Sequence, residues 1–160
     1  SDFSIQSGYV QAGTSITPEI SVVADAALTT FRTNDPGTVT NPFTDHWVDI
    51  LRGYTGFSFD NRFAGSEGSI RFVHNFGDHS IFDGFRSTDD MTTLSIYQTL
   101  QLIPGNSFTL GADYKRYGGN VSAGPGSKLG DFHVWEYAAY AHTRQDVLSG
   151  IIVDGGGLGN

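Results

Sequence analysis

The sequence contains no cysteine and a single methionine. The missing cysteines remove disulfide frameworks, thiolate metal sites and cysteine nucleophiles together. Cations are also scarce: nine Lys and Arg stand against 17 Asp and Glu, a formal charge of −8. Phosphate-backbone binding rests on clustered Lys and Arg, so nucleic acid is not an expected partner. No window of about 18 apolar residues exists, which excludes a transmembrane helix. Behind Ser1 there is no basic segment followed by an apolar one, so any export signal is expected to have been removed or to lie outside these residues. Apolar spacing at three and four is nowhere sustained, and amphipathic helices are not expected.

Chemistry is absent in the same way. No GxSxG elbow and no HExxH pair is present. Gly155-Gly156-Gly157 is followed by neither a helix pattern nor a Lys-Ser/Thr pair and is no phosphate cradle; it is expected to be a flexible end or an artefact. The expectation is a chain that is not an enzyme, with no catalytic residues, no metal ligands and no cofactor.

What the sequence does have is 21 glycines, 13% aromatic residues and recurrent alternation of apolar and polar positions. A transmembrane β-strand needs only about 10 such residues, and its hydropathy signal is weak. The alternation predicts strands over 3–16, 20–32, 46–63 and 68–77, a hairpin over 94–119 turning at Pro104-Gly105-Asn106, and strands over 132–143 and 147–153. In 94–102, Leu94, Ile96, Leu100 and Leu102 share one parity, and Ser95, Tyr97, Thr99 and Gln101 the other. The question this hairpin raises is whether protein or lipid lies against its apolar face.

The connections predict the answer. Short ones (17–19, 64–67, 103–106, 145–146) alternate with long ones (33–45, 78–91, 118–131). All short turns then fall at one end of an up-and-down antiparallel sheet and all long loops at the other, the habit of transmembrane barrels. Tyr9, Tyr54, Tyr97, Tyr114, Tyr117, Trp135 and Tyr137 are placed to form aromatic girdles. The expected fold class is all-β, an up-and-down antiparallel transmembrane β-barrel wall of about eight long strands.

Within 78–91, Phe82 and Phe85 put exposed aromatic surface on a long loop beside Asp83, Arg86 and Asp89. Apolar, cationic and anionic groups gathered on such a loop make these five the candidate ligand-binding residues. Asp78, Asp83, Asp89 and Asp90 are oxygen donors of the type calcium takes, but their spacing fits no EF-hand, and a solvated acidic loop is the expectation. His133 and His142 are expected at polar strand positions facing a wet lumen rather than on a metal. Gly53, Gly56 and Gly111 are expected to permit strand bending.

Four stretches in order, "DHWVDILRGYTGFSFDNRF", "GSIRFVHNFGDHSIFDGF", "SIYQTLQLIPGNSFTLGADYKRYGG" and "HVWEYAAYAHTRQDVLSG", resemble the barrel of a TonB-dependent outer-membrane receptor. The likeness is to cobalamin- and siderophore-receptor-like members of the Bacteroidota type, and covers roughly 20–150. It implies a bacterial outer-membrane location and a 22-stranded barrel plugged by a separate domain. It further implies a small-molecule nutrient as cargo, outer-membrane lipid around the wall, and an inner-membrane energy-coupling complex acting through the plug. Residues 1–160 are then expected to be a single barrel segment, a fragment lacking plug, coupling box and closing strand. The terminal "SGIIVDGGGLGN" departs from the family's pattern. The alternatives are a self-contained eight-stranded outer-membrane barrel with a structural or adhesion role, and a soluble β-sandwich binding module.

Overall fold

In the computed structural model, residues 3–34, 37–38, 40–42, 45–124, 126–148 and 151–159 are described. Eight long strands form one antiparallel sheet in chain order: β1 (Phe3–Thr17), β2 (Ile20–Asn34), β5 (Trp47–Phe63), β6 (Ser66–Ile81), β7 (Arg86–Ile103), β8 (Asn106–Ser122), β9 (Lys128–Leu148) and β10 (Ile151–Gly159). Between β2 and β5, two short strands, β3 (Gly37–Thr38) and β4 (Asn41–Pro42), pair with each other. The all-β, up-and-down antiparallel architecture expected from the alternation is what the structure has. β1 pairs with β2 alone and β10 with β9 alone, so the described sheet is open at both edges.

Turn chemistry accounts for the short connections. Pro104-Gly105 suits a type II turn, because proline presets the first φ and Gly105 takes +77° at the second. Gly65 does the same between β5 and β6 at +74°. At 18–19 the Thr17 Oγ1 accepts the Glu19 N–H at 3.2 Å.

Three expectations are corrected. The loop over 78–91 is mostly strand: β6 runs to Ile81 and β7 starts at Arg86, leaving only 82–85 as the connection. Asp and Ser are poor strand formers in isolation, but cross-strand ion pairs and an unbroken ladder carry them here. The loop over 118–131 shrinks to 123–127 for the same reason: Gly118 and Gly119 stay in the β8 ladder opposite His133 and Phe132. The turn at 145–146 lies inside β9, which continues to Leu148, and the connection is 149–150, outside the described residues. The glycine run is therefore strand, with Gly155, Gly156 and Gly157 opposite Thr143, His142 and Ala141. Of the loop over 33–45, part lies outside the described residues. With these corrections the two ends still differ, but the wider end carries connections of moderate length.

No second layer covers the sheet among the described residues. Among the described residues no hydrophobic side chain is buried, and the surface area is 10816 Å². A globular chain of this length would expose about 7,800 Å². A soluble sandwich needs two inner faces packed together, and this single layer has none.

A candidate lipid-facing belt and polar wall

Register sorts the side chains onto two faces with different chemistry. On the first face, consecutive cross-sheet rows read Val22–Phe59–Ile70–Ile96–Ala112–Ala139 and Ala24–Phe57–Phe72–Leu94–Tyr114–Tyr137. Neither row holds a charge. At the same depth the second face reads Val23–Ser58–Arg71–Ser95–Asp113–Ala138 and Asp25–Gly56–Val73–Thr93–Lys115–Glu136. One face is an apolar belt, and the other is a charged and polar wall. Of the aromatics expected in girdles, Tyr114, Trp135 and Tyr137 lie on the belt face, whereas Tyr9, Tyr54, Tyr97 and Tyr117 have the parity of the wall.

The belt ends on charges at the wide end, and its border is oblique. Moving from the short-turn end along the first face, the first charged residue is Arg32 on β2, Asp49 on β5, Asp78 on β6, Asp90 on β7 and Arg116 on β8. Through the ladder these stand level with Asp49, Asp49, Leu51, Gly53 and Thr55 of β5. The border thus advances from 49 to 55 over the four steps from β2 to β8, about 1.5 residues per strand. With a rise of about 3.3 Å and a strand spacing of about 4.8 Å, a border level with a membrane plane corresponds to strands tilted by roughly 45°, the tilt of transmembrane barrels. On β9 the first charged residue is Asp131, which drops back to the level of Leu51; His133, expected to face a lumen, lies instead on this first face. On the first face the uncharged belt runs about ten residues along β6 or β7, which tilted so span about 23 Å, against an apolar band of about 25 Å in outer-membrane barrels.

Ion pairs line that border. Arg32 Nε lies 3.5 Å from an Asp49 carboxylate oxygen, Arg86 Nε donates to Asp78 at 2.9 Å with a second bond from its Nη2, and Arg116 Nη1 donates to Asp90 at 3.3 Å. Near the short-turn end one polar island interrupts the belt. Asn61 and Gln98 exchange amide hydrogen bonds of 3.3 and 3.2 Å across Gly68, and Gln98 also donates to Ser66 Oγ at 2.7 Å. Mutual pairing satisfies both amides without water, which an apolar setting requires. His74, also on this face, bonds Thr92 Oγ1 through Nδ1 at 2.9 Å.

The five candidate ligand residues lie at the wide end, each tied into the fold. Asp83 Oδ1 accepts the Phe85 N–H at 2.9 Å, and the Phe85 carbonyl accepts the Ile81 N–H at 2.9 Å, closing the turn. Phe82 stacks on His46 with ring centroids 3.7 Å apart, yet stays 41% exposed. Arg86 holds Asp78 on the first face. Asp89 accepts from Arg52 Nη1 at 2.8 Å on the second. The structure brings Phe82, Asp83 and Phe85 together in one turn and sends Arg86 and Asp89 to opposite faces.

Sequence reading missed Arg52, which binds Asp89 and also lies 2.9 Å from His79 Nε2. Because guanidinium only donates, His79 presents its Nε2 lone pair to it. A Cβ at Gly77 would come within 2.6 Å of Asp89 Oδ1, so this glycine makes room for the pair. It also missed the bond from the Tyr54 hydroxyl to Asp25 on the polar wall. Both follow from register: Tyr54 and Asp25 lie on the paired strands β5 and β2, and Arg52 reaches Asp89 across Gly77 of β6. Among the described residues no three His, Asp or Glu gather to hold a metal ion.

Compared with known proteins, the chain matches no family model and no curated protein.

Arg86 holds the Asp78 carboxyl below the usual carboxylate range, chiefly through its hydrogen bonds, and both groups lie beyond the belt. A carboxyl lowered in the folded state stabilises above its unfolded value of about 3.9, and the effect is lost as pH falls through the folded value. Asp78→Asn should therefore lower the unfolding midpoint at pH 7 by the equivalent of about 0.2–1 kcal/mol, the range for solvent-exposed pairs. The difference from the parent should vanish in acid, below the folded value. Urea titrations of both proteins in detergent at the two pH values check this.

Proposed function

We propose that this chain is part of the wall of a transmembrane β-barrel in a bacterial outer membrane. In that wall the apolar face meets lipid and the polar face lines the interior. The observation that carries the reading is the uncharged belt with its oblique charged border. An apolar face left open by a soluble single-layer sheet has no reason to end on a line tilted by the angle of a membrane-spanning strand. The open sheet edges favour a section of a larger barrel over a self-contained one of eight strands, since unpaired edges are not tolerated in hydrocarbon.

We further propose that the larger barrel is a TonB-dependent receptor taking up a scarce nutrient such as cobalamin or an iron chelate. This rests on the ordered likeness of the four stretches. No bond is made or broken by these residues in that role. The wall holds the 82–85 turn and its neighbours at the mouth, while a plug domain and an inner-membrane coupling complex drive release. The test is the intact mass of the natural polypeptide extracted from its membrane fraction in detergent. A mass several times that of these 160 residues is expected. A mass near that of the segment alone would sink the receptor reading.

A further inference from the structure

The belt is not smooth. Ala112 and Ala139 face each other in register on β8 and β9, and both are exposed. Together with Leu94, Ile96, Tyr114 and Tyr137, and with Asp113 and Ala138 whose parity is that of the other face, they line a mainly apolar groove of about 500 Å³. At its wide-end rim stand two register pairs, Tyr114 with Tyr137 and Arg116 with Trp135. The two phenol rings lie 5.3 Å apart by centroid.

The rim is a concentration of donors. Two phenols, an indole N–H and a guanidinium share one face over two adjacent rows. Arg116 directs Nη1 to Asp90 at 3.3 Å, and the planar fork has further N–H groups to offer a phosphate. Position matters as much as composition. On β5, β6 and β7 the belt ends on Asp49, Asp78 and Asp90, each paired with an arginine. On β2 and β8 it ends on a cation, Arg32 and Arg116, and of these two Arg116 adjoins the groove.

We propose that this groove and rim form a binding site for a phospholipid of net negative charge. One acyl chain lies over Ala112 and Ala139, and the phosphate accepts hydrogen bonds from Arg116, Trp135 and the phenols. The site rests on the reading of this face as lipid-facing. Tyr and Trp at the belt margin place the donors at headgroup level, where such rings sit in membranes.

The full-length polypeptide in phosphatidylcholine vesicles tests the site through quenching of Trp135 by brominated acyl chains. The Trp135→Phe protein supplies the background to subtract. Brominated phosphatidylglycerol at a few per cent should quench Trp135 roughly fivefold more effectively than brominated phosphatidylcholine at the same dilution, the preference one interfacial cation confers. Arg116→Gln should abolish the difference. Ala112→Leu, which fills the groove without touching a charge, should reduce it. Equal quenching by the two lipids, or a difference that survives both substitutions, would overturn the site while leaving the lipid-facing wall intact. No quenching by either lipid would overturn both.

Discussion

Replacing Phe72 or Ile96 by Arg should destabilise the folded protein in a bilayer by about 2–4 kcal/mol, the cost of Arg or Lys at the midplane of a lipid-facing barrel surface. Both residues sit in the middle rows of the belt, exposed and without a charged neighbour on that face. Ser95→Arg, between them in the chain pairing but on the opposite face, should cost little, because that face already holds Arg71 and Asp113 in its row. Urea unfolding in phospholipid vesicles reads all three. Depth supplies a second comparison: Thr92→Arg, level with Arg116, should cost less than Ile96→Arg. Equal costs on the two faces would remove the belt from the account.

The second large effect is steric. Gly111 lies on the polar face beneath Tyr140, its ladder partner, and a Cβ there would fall 2.1 Å from the Tyr140 ring. The phenol must move for any side chain to fit. Gly111→Val should therefore cost about 1–3 kcal/mol, the range for overpacking a filled site. Adding Tyr140→Ala should recover most of the loss, since the double substitution removes the clash. A strand glycine covered by a cross-strand aromatic is a device that pins register; Phe76 covers Gly53 in the same way on the other face. Gly111 is thus explained by what lies over it, beyond the bending freedom expected from sequence. A loss at Gly111 undiminished by Tyr140→Ala would contradict this packing.

Alternation was sufficient to reveal strands wherever apolar residues marked every second position, and Pro18, Gly65 and Pro104-Gly105 marked the turns between them. It failed where one face turned polar. Past the belt border both parities carry Asp, Ser, Thr and Gly, so 78–91 and 118–131 look like loops although the ladder runs through them. What holds those ends is pairing between distant residues, Arg52 with Asp89 and Arg116 with Asp90, which no local pattern announces. The candidate site suffered for the same reason. Arg86 and Asp89, three apart, would share a loop, but in a strand they face opposite sides. In sequence Phe82, Asp83 and Phe85 look like part of a long loop; the turn they share, with Gly84 at a φ of +86°, is what remains of it. The oblique border could be drawn only once the register was known.

The most direct measurement of the central claim uses the lack of cysteine in residues 1–160. Single cysteines placed at each position from 93 to 98 of the natural polypeptide, in an otherwise cysteine-free background, carry spin labels in lipid vesicles. Their relaxation is read with oxygen, which partitions into lipid, and with a water-soluble nickel chelate. The account predicts a two-residue period: oxygen dominates at Leu94, Ile96 and Gln98, and nickel at Thr93, Ser95 and Tyr97. Nickel access at both parities, or oxygen access on the Ser95 face, would contradict a wall with its apolar side in lipid.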